Sequence, residues 1–117
     1  MSKYLLALDA GTGSIRAVLF SVDGEQVGVA QREWEHHEDP RWPSSMDFDW
    51  VADWQLALDC IKEVLAKTSI DPKEIAGIST TCMRDGILLY DQDGNDIWAC
   101  ANVDARSVDE VKQLIDM

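Results

Sequence analysis

The chain has 117 residues, 22 acidic against 10 basic, a formal net charge of -12, with 46% hydrophobic and 27% charged residues. The length suits one small domain and is short for two, and the apolar fraction suits a packed core rather than disorder. The acidic balance argues against binding a polyanion such as DNA, whose affinity rests on lysine and arginine neutralising phosphates, but one small phosphate site can still be built from backbone amides and a metal ion.

From the N-terminus, Tyr4 to Leu8 is a short apolar run, expected as a central strand buried on both faces. Ile15 to Val22 reads as a second strand. Asp23-Gly24 is a hairpin turn signal, and Glu25 to Trp34 supplies a third strand. His36 to Ser45, with two prolines and mixed charge, is expected to be a loop. Asp47 or Asp49 can cap a following helix, and Trp50, Trp54, Ala57, Leu58, Ile61, Val64 and Leu65 recur at helical spacing, predicting an amphipathic helix from about Asp49 to Lys67. Ser69 to Glu74, with Pro72, is a turn. Ile75 to Cys82 is then a fourth strand, free to lie parallel to the first because a helix intervenes. Ile87 to Tyr90 and Ile97 to Ala101 flank the turn Asp91 to Asn95 as a second hairpin, and a further helix starts from Ala105. Three antiparallel strands, a helix and a parallel strand make an α/β chain with a mixed β-β-β-α-β sheet. That is the order of the ribonuclease-H-like fold used in actin-like ATPases and sugar kinases.

Asp9 stands where the first strand should end, and Gly11-Thr12-Gly13-Ser14 form the turn after it. Glycines there let backbone N–H groups approach phosphate oxygens with no Cβ in the way, and Thr12 and Ser14 add hydroxyl donors. A carboxylate cannot touch phosphate without repulsion, so the useful role for Asp9 is to hold Mg²⁺, often through water. Arg16 could complete such a cage or pair with Asp9. The same residues also suit a plain hairpin with a surface carboxylate, since G-x-G alone is common. Neither the dinucleotide fingerprint nor the Gly-Lys-Ser/Thr of a P-loop is present.

The string Asp9-Ala10-Gly11-Thr12-Gly13-Ser14-Ile15-Arg16 resembles the first phosphate motif of the FGGY carbohydrate kinases. The resemblance implies ATP and Mg²⁺, with Asp9 near the metal and Gly11, Thr12, Gly13, Ser14 and Arg16 around the β- and γ-phosphates. "STTCMRDGILLYDQDG", Ser79 to Gly94, is similar to the family's substrate loop and the hairpin after it. The resemblance puts Arg84 and Asp85 on substrate hydroxyls, with Met83 beside them and Cys82 standing where glutamine is usual. "IWACANVDAR", Ile97 to Arg106, is similar to a W-x-D-x-R region, with Asp104 and Arg106 in its motif positions and Asp104 as a further substrate residue. With "SSMDFDW" and "DWQLALDC", this stretch is most similar to the bacterial autoinducer-2 kinases, which implies phosphorylation of a small linear dihydroxy-diketone. Xylulose-, ribulose- and gluconate-type kinases are the alternatives, and a non-catalytic actin-like module binding nucleotide or a partner is another.

An arginine-carboxylate pair makes chemical sense as a polyol reader, because the carboxylate accepts from hydroxyls while the guanidinium donates to oxygen. The bland alternative for Arg84-Asp85 is a surface salt bridge at a strand end. Parallel first and fourth strands would end on the edge that carries Asp9, which favours the reader.

Other residues are expected to be structural. His36-His37 lacks metal-ligand spacing and reads as solvated surface, as does the acidic run Glu33 to Asp39. Trp50 and Trp54 are expected in the helix core, while Trp34, Trp42 and Trp98 could line a substrate mouth. Cys60, Cys82 and Cys100 read as reduced packing thiols. "MSKYLLALDAG" is too early interrupted by Asp9 for a signal peptide, and no run approaches the roughly 20 apolar residues of a membrane span. A cytoplasmic protein with a small-molecule substrate, and neither nucleic-acid nor membrane partner, is therefore expected. The resemblance covers residues 1–117 as an incomplete N-terminal kinase domain, with the catalytic base and adenine pocket expected downstream. A chain ending in mid-helix with half a cleft is expected to be inactive alone and prone to dimerise through its sheet edge.

Overall fold

The computed structural model describes residues 3–117, which divide into two compact units. The first takes the chain up to Glu35 together with Trp50–Met83, and the second takes His36–Asp49 with Arg84–Met117.

In the first unit, strands β1 (Tyr4–Ala10), β2 (Ser14–Ser21), β3 (Gln26–Glu33) and β4 (Ile75–Cys82) form one sheet in the order β3-β2-β1-β4. β1 and β2 are antiparallel, as are β2 and β3, while β4 lies parallel to β1. This is the mixed β-β-β-α-β sheet expected of a ribonuclease-H-like, actin-like ATPase fold. Tight turns force the antiparallel meander, and Gly24 at φ +92° makes the β2–β3 reversal possible. Helix α1 (Trp50–Thr68) and a single 3₁₀ turn at Pro72–Glu74, capped by Asp71 through its bond from the Lys73 N–H at 2.9 Å, carry the crossover to β4.

Helix α1 covers one face of the sheet, burying Leu6, Ile15, Ala17, Leu19 and Ala30 against Ala57, Cys60 and Val64. Small residues bring the two layers together. A Cβ on Gly28 would come within 2.5 Å of Thr68 Cγ2 and 3.1 Å of Val64 Cγ2. Arg32 on β3 pairs with Glu63 of the helix, which also holds Lys67, and these two hydrogen bonds keep the Glu63 carboxyl below its ordinary range.

Two expectations are corrected here. β1 is not buried on both faces of its unit, since Leu5 remains 43% exposed and, with Phe20, Val22 and Ile78, lines an apolar groove. The buried stripe of α1 is Asp53, Ala57, Cys60 and Val64, so Trp54 points outward at 56% exposure and Trp50 is half-buried. The helix turns its small side chains to the sheet because indole rings would hold it too far away.

In the second unit, β5 (Ile87–Tyr90) and β6 (Asp96–Cys100) form an antiparallel hairpin. Asp91 organises its tip by accepting from the Asp93 and Asn95 N–H groups at 2.9 Å, with Gly94 at φ +83°. The segment read as a loop, residues 36–49, runs back as a strap. Asp47 bridges to both His37 and Cys100, the Ala101 N–H donates to Met46 O at 2.9 Å, and the Ala105 N–H donates to Ser44 O at 2.9 Å. Ser45 within the strap is buried, as are Ala99, Cys100 and Ala101. His36 is half-buried, its ring 5.7 Å from that of Phe48, so only His37 is the solvated histidine expected. Of the three free thiols, Cys60 and Cys100 are buried packing groups, whereas Cys82 is exposed at the end of β4. Helix α2 (Val108–Ile115) buries none of its residues. Among the described residues, no helix is long and apolar enough to cross a membrane.

Candidate phosphate and substrate loops

β1 runs to Ala10, so Asp9 is the penultimate residue of a strand held on both sides, by Arg16 on β2 and Thr81 on β4. The strand pairing puts Asp9 and Arg16 side by side on the same face, and the Arg16 guanidinium donates to Asp9 Oδ2 at 2.5 Å. Both remain partly exposed, at 33% for Asp9 and 49% for Arg16, so the pair is open to a ligand. Of the two roles read for Arg16, pairing with Asp9 is the one observed.

Gly11, Thr12 and Gly13 make the connection to β2, closed by the Gly11 N–H donating to Ser14 O at 2.8 Å. Neither glycine is in the left-handed region. A Cβ built on Gly13 meets nothing within 4 Å, and one on Gly11 makes only an ordinary 3.5 Å contact with Ser14 O. The fold would accept an alanine at 13, and what that Cβ would occupy is the open space in front of the loop. That is the geometry expected where backbone must come close to a ligand.

The underside of the loop is held by a residue the sequence suggested for another task. Trp34, just past β3, is 8% exposed; its indole N–H donates to Thr12 O at 3.0 Å and its backbone N–H to Gly13 O at 3.1 Å. Trp34 therefore lies beneath the loop rather than at a mouth. Trp42 is 57% exposed, and Trp98 carries the Arg106 guanidinium over its ring at 5.1 Å.

The end of β4 lies beside the end of β1, with Cys82 paired to Ala10 and the Met83 N–H donating to Ala10 O at 2.8 Å. Asp9, Gly11, Thr12, Gly13, Ser14, Arg16 and Met83 are thus gathered at one edge of the first unit. Arg84, Asp85 and Asp104 belong to the second.

Arg84 and Asp85 are exposed in the turn that leads into β5, and among the described residues neither makes an ion pair or a side-chain hydrogen bond. The bland reading of a mutual salt bridge does not describe them. Asp85 also sits at φ +64°, a conformation that favours glycine.

Asp104 is the opposite case. Its side chain is 9% exposed and its oxygens accept from the Met46 N–H at 2.7 Å, the Arg106 N–H at 3.1 Å and Arg106 Nη2 at 2.6 Å. The same Nη2 reaches Asp47 Oδ1 at 2.5 Å. Hydrogen bonds from the Arg106 side chain, opposed by burial, hold the Asp104 carboxyl at about 2, and the two carboxylates raise the Arg106 guanidinium further above its ordinary value. Asp47, read from sequence only as a helix cap, is thus half of a clamp 59 residues from its partner, and no local pattern announces it.

Among the described residues, no cluster of three or more His, Cys, Asp or Glu could hold a metal ion unaided. One partly exposed carboxylate beside a loop of backbone amides instead suits a Mg²⁺ that arrives with phosphate oxygens and keeps several waters.

The family model for the FGGY family of carbohydrate kinases, N-terminal domain, matches residues 4–116. The autoinducer-2 kinase of Escherichia coli strain SMS-3-5 is 53% identical over 114 residues, and that of Salmonella typhimurium strain LT2 is 52% identical, each alignment covering 97% of this chain and 22% of the relative. The crystal structure of xylulose kinase from Rhodospirillum rubrum superposes with a TM-score of 0.82 at 25% identity, covering 97% of this chain and 23% of that one. The chain thus spans about a fifth of the length of the relatives it matches. It belongs to the FGGY family of carbohydrate kinases.

Proposed function

We propose that residues 1–117 are the N-terminal part of a longer, cytoplasmic kinase that transfers the γ-phosphate of ATP to a terminal hydroxyl of a small sugar-like substrate, autoinducer-2 in the first instance. The observation that carries this reading is Gly13, a glycine without backbone need, facing open space in the loop that follows Asp9 at the end of β1. In this reading the amides of Thr12, Gly13 and Ser14 face the β- and γ-phosphates while Gly11, its N–H held by Ser14 O, shapes the turn beneath them, and Asp9 holds Mg²⁺ through water, oriented by Arg16. When bound, Mg²⁺ neutralises charge on the phosphate oxygens. Phosphoryl transfer is largely positioning and electrostatics, so a rigid, pre-formed loop is the main contribution this segment makes.

The unpaired Arg84 and Asp85 suit hydroxyl and carbonyl recognition, with Met83 alongside. Such a site discriminates strongly, because a substrate lacking the hydroxyl leaves charged groups without partners. Asp104, with its oxygens already engaged, serves by holding the strap and the segment after β6 in register. The segment alone is expected to be inactive, because the catalytic base and adenine pocket are expected downstream.

The test is ATP-dependent ADP release by the full-length protein on the autoinducer-2 precursor, D-xylulose, L-ribulose, gluconate and glycerol. Activity on the precursor alone, lost in Asp9→Ala and Asp85→Ala, is the expected result. Activity on a pentulose instead overturns the substrate, and nucleotide binding with no turnover on any of them overturns the kinase in favour of a non-catalytic module.

A further inference from the structure

We propose that Trp34 is a positioning residue for the phosphate loop, setting the direction of its backbone amides before any nucleotide arrives. This rests on the reading of Gly11 to Ser14 as that loop.

Trp34 makes two bonds to consecutive carbonyls, its indole N–H to Thr12 O at 3.0 Å and its backbone N–H to Gly13 O at 3.1 Å. In a trans peptide the C=O and the next residue's N–H point in opposite directions. Turning the Thr12 and Gly13 carbonyls toward Trp34 therefore turns the Gly13 and Ser14 N–H groups away from it. The backbone bond comes from any residue at position 34, being the continuation of the β2–β3 ladder beyond Ser14 and Glu33. The indole bond does not, because a donor must reach past the ladder to a peptide already outside it. Only an aromatic side chain with a donor at its far edge combines that reach with burial in the apolar layer.

The loop needs such a tie. Thr12 and Gly13 are exposed, Gly13 has no Cβ to pack, and glycine carries the largest backbone entropy to be lost on ordering. The feature that lets phosphate approach therefore also loosens the loop, and the Trp34 indole offsets that from below. The indole, buried beneath the loop, acts through the peptide it holds.

The experiment uses the full-length kinase with Trp34→Phe, which keeps the ring and removes the donor. A second variant carries benzothienylalanine at position 34, which replaces the N–H by sulfur at nearly constant shape. Two readouts are taken: calorimetric affinity for MgATP, MgADP, AMP and adenosine, and hydrogen exchange of the Gly13 and Ser14 amides without nucleotide. Both variants are expected to bind MgATP and MgADP about two- to tenfold more weakly, the worth of one hydrogen bond. AMP and adenosine affinity and the sugar KM stay unchanged, and the two amides exchange faster. Unchanged MgATP affinity in the benzothienyl variant, or an equal loss for all four ligands, overturns the role of Trp34. Wild-type protein with no preference for MgADP over AMP overturns the phosphate-loop reading itself, a separate failure.

Discussion

Replacing Asp104 by asparagine isolates the clamp that holds the second unit's strap. The change keeps the shape and removes the charge. Asparagine has one acceptor oxygen and one donor amide, so either the Arg106 N–H, bound to Oδ1, or the Met46 N–H and Arg106 Nη2, both bound to Oδ2, must face a donor. The cost can be worked two ways. A carboxyl held at about 2 against an ordinary 3.8, on a side chain only 9% exposed, corresponds to about 2 kcal/mol. Losing one hydrogen bond to a charged group costs roughly 1.5–3 kcal/mol. The two agree. The sign with pH follows from the depressed value: the stabilisation is fully present above the unfolded carboxyl's ordinary range and is lost as pH falls from about 4 toward 2. The assay is hydrogen exchange at the Met46 and Ala101 amides, which report opening of the strap. Asp104→Asn should speed exchange about 30-fold at pH 6, the equivalent of about 2 kcal/mol. Wild-type protection should fall as pH goes from about 4 to about 2, while the variant's stays flat. Exchange within about threefold of wild type at pH 6, or the same pH slope in both proteins, refutes the clamp as the element holding the strap.

Three further outcomes are expected. Asp9→Asn in the full-length kinase should raise the Mg²⁺ needed for half-maximal activity about 10- to 100-fold, and an unchanged Mg²⁺ dependence would remove Asp9 from the metal's surroundings. Gly28→Ala should destabilise by about 1–3 kcal/mol, read as a lower midpoint in urea, because its Cβ would overlap Thr68 Cγ2 at 2.5 Å; an unchanged midpoint would mean that α1 shifts freely over β3. Asp85→Gly should leave stability level or raise it by up to about 1 kcal/mol while the sugar KM rises more than tenfold, and loss of both together would make Asp85 structural.

Much of the fold was legible because short-range chemistry settles it. Asp23-Gly24 and Asp91 to Asn95 demand turns, and the helix between Asp49 and Ile75 permits a parallel fourth strand. The Asp9 to Arg16 string and the Arg84-Asp85 pair were visible for the same reason, each being a contiguous run. What stayed hidden depends on partners distant in sequence. Helical spacing places Ala57 and Val64 on the buried side of α1 as found, but it also draws in Trp54, because a large apolar residue at that spacing looks like core, whereas the buried residues are Asp53, Ala57, Cys60 and Val64. Burial of β1 on two faces is what an unbroken apolar run suggests, but within its unit Leu6 is buried while its neighbour Leu5, on the opposite face, stays 43% exposed. Asp47 with Arg106, and Trp34 with Thr12, join residues 59 and 22 positions apart, and nothing local marks either pair.

Two positions argue for function independently of any likeness to known kinases, and they do so as a mirrored pair. Gly13 occupies backbone that alanine would adopt with less entropy lost on folding, yet it carries no side chain. Asp85 occupies backbone that glycine would adopt with less strain, yet it carries a charged side chain that pairs with nothing among the described residues. Folding alone would favour the exchange of the two residue types. Departures from local preference that gain nothing in packing are expected where a site makes demands of its own. At Gly13 the demand is room for something to approach the backbone. At Asp85 it is a carboxylate held out, unspent, for a group that can donate to it.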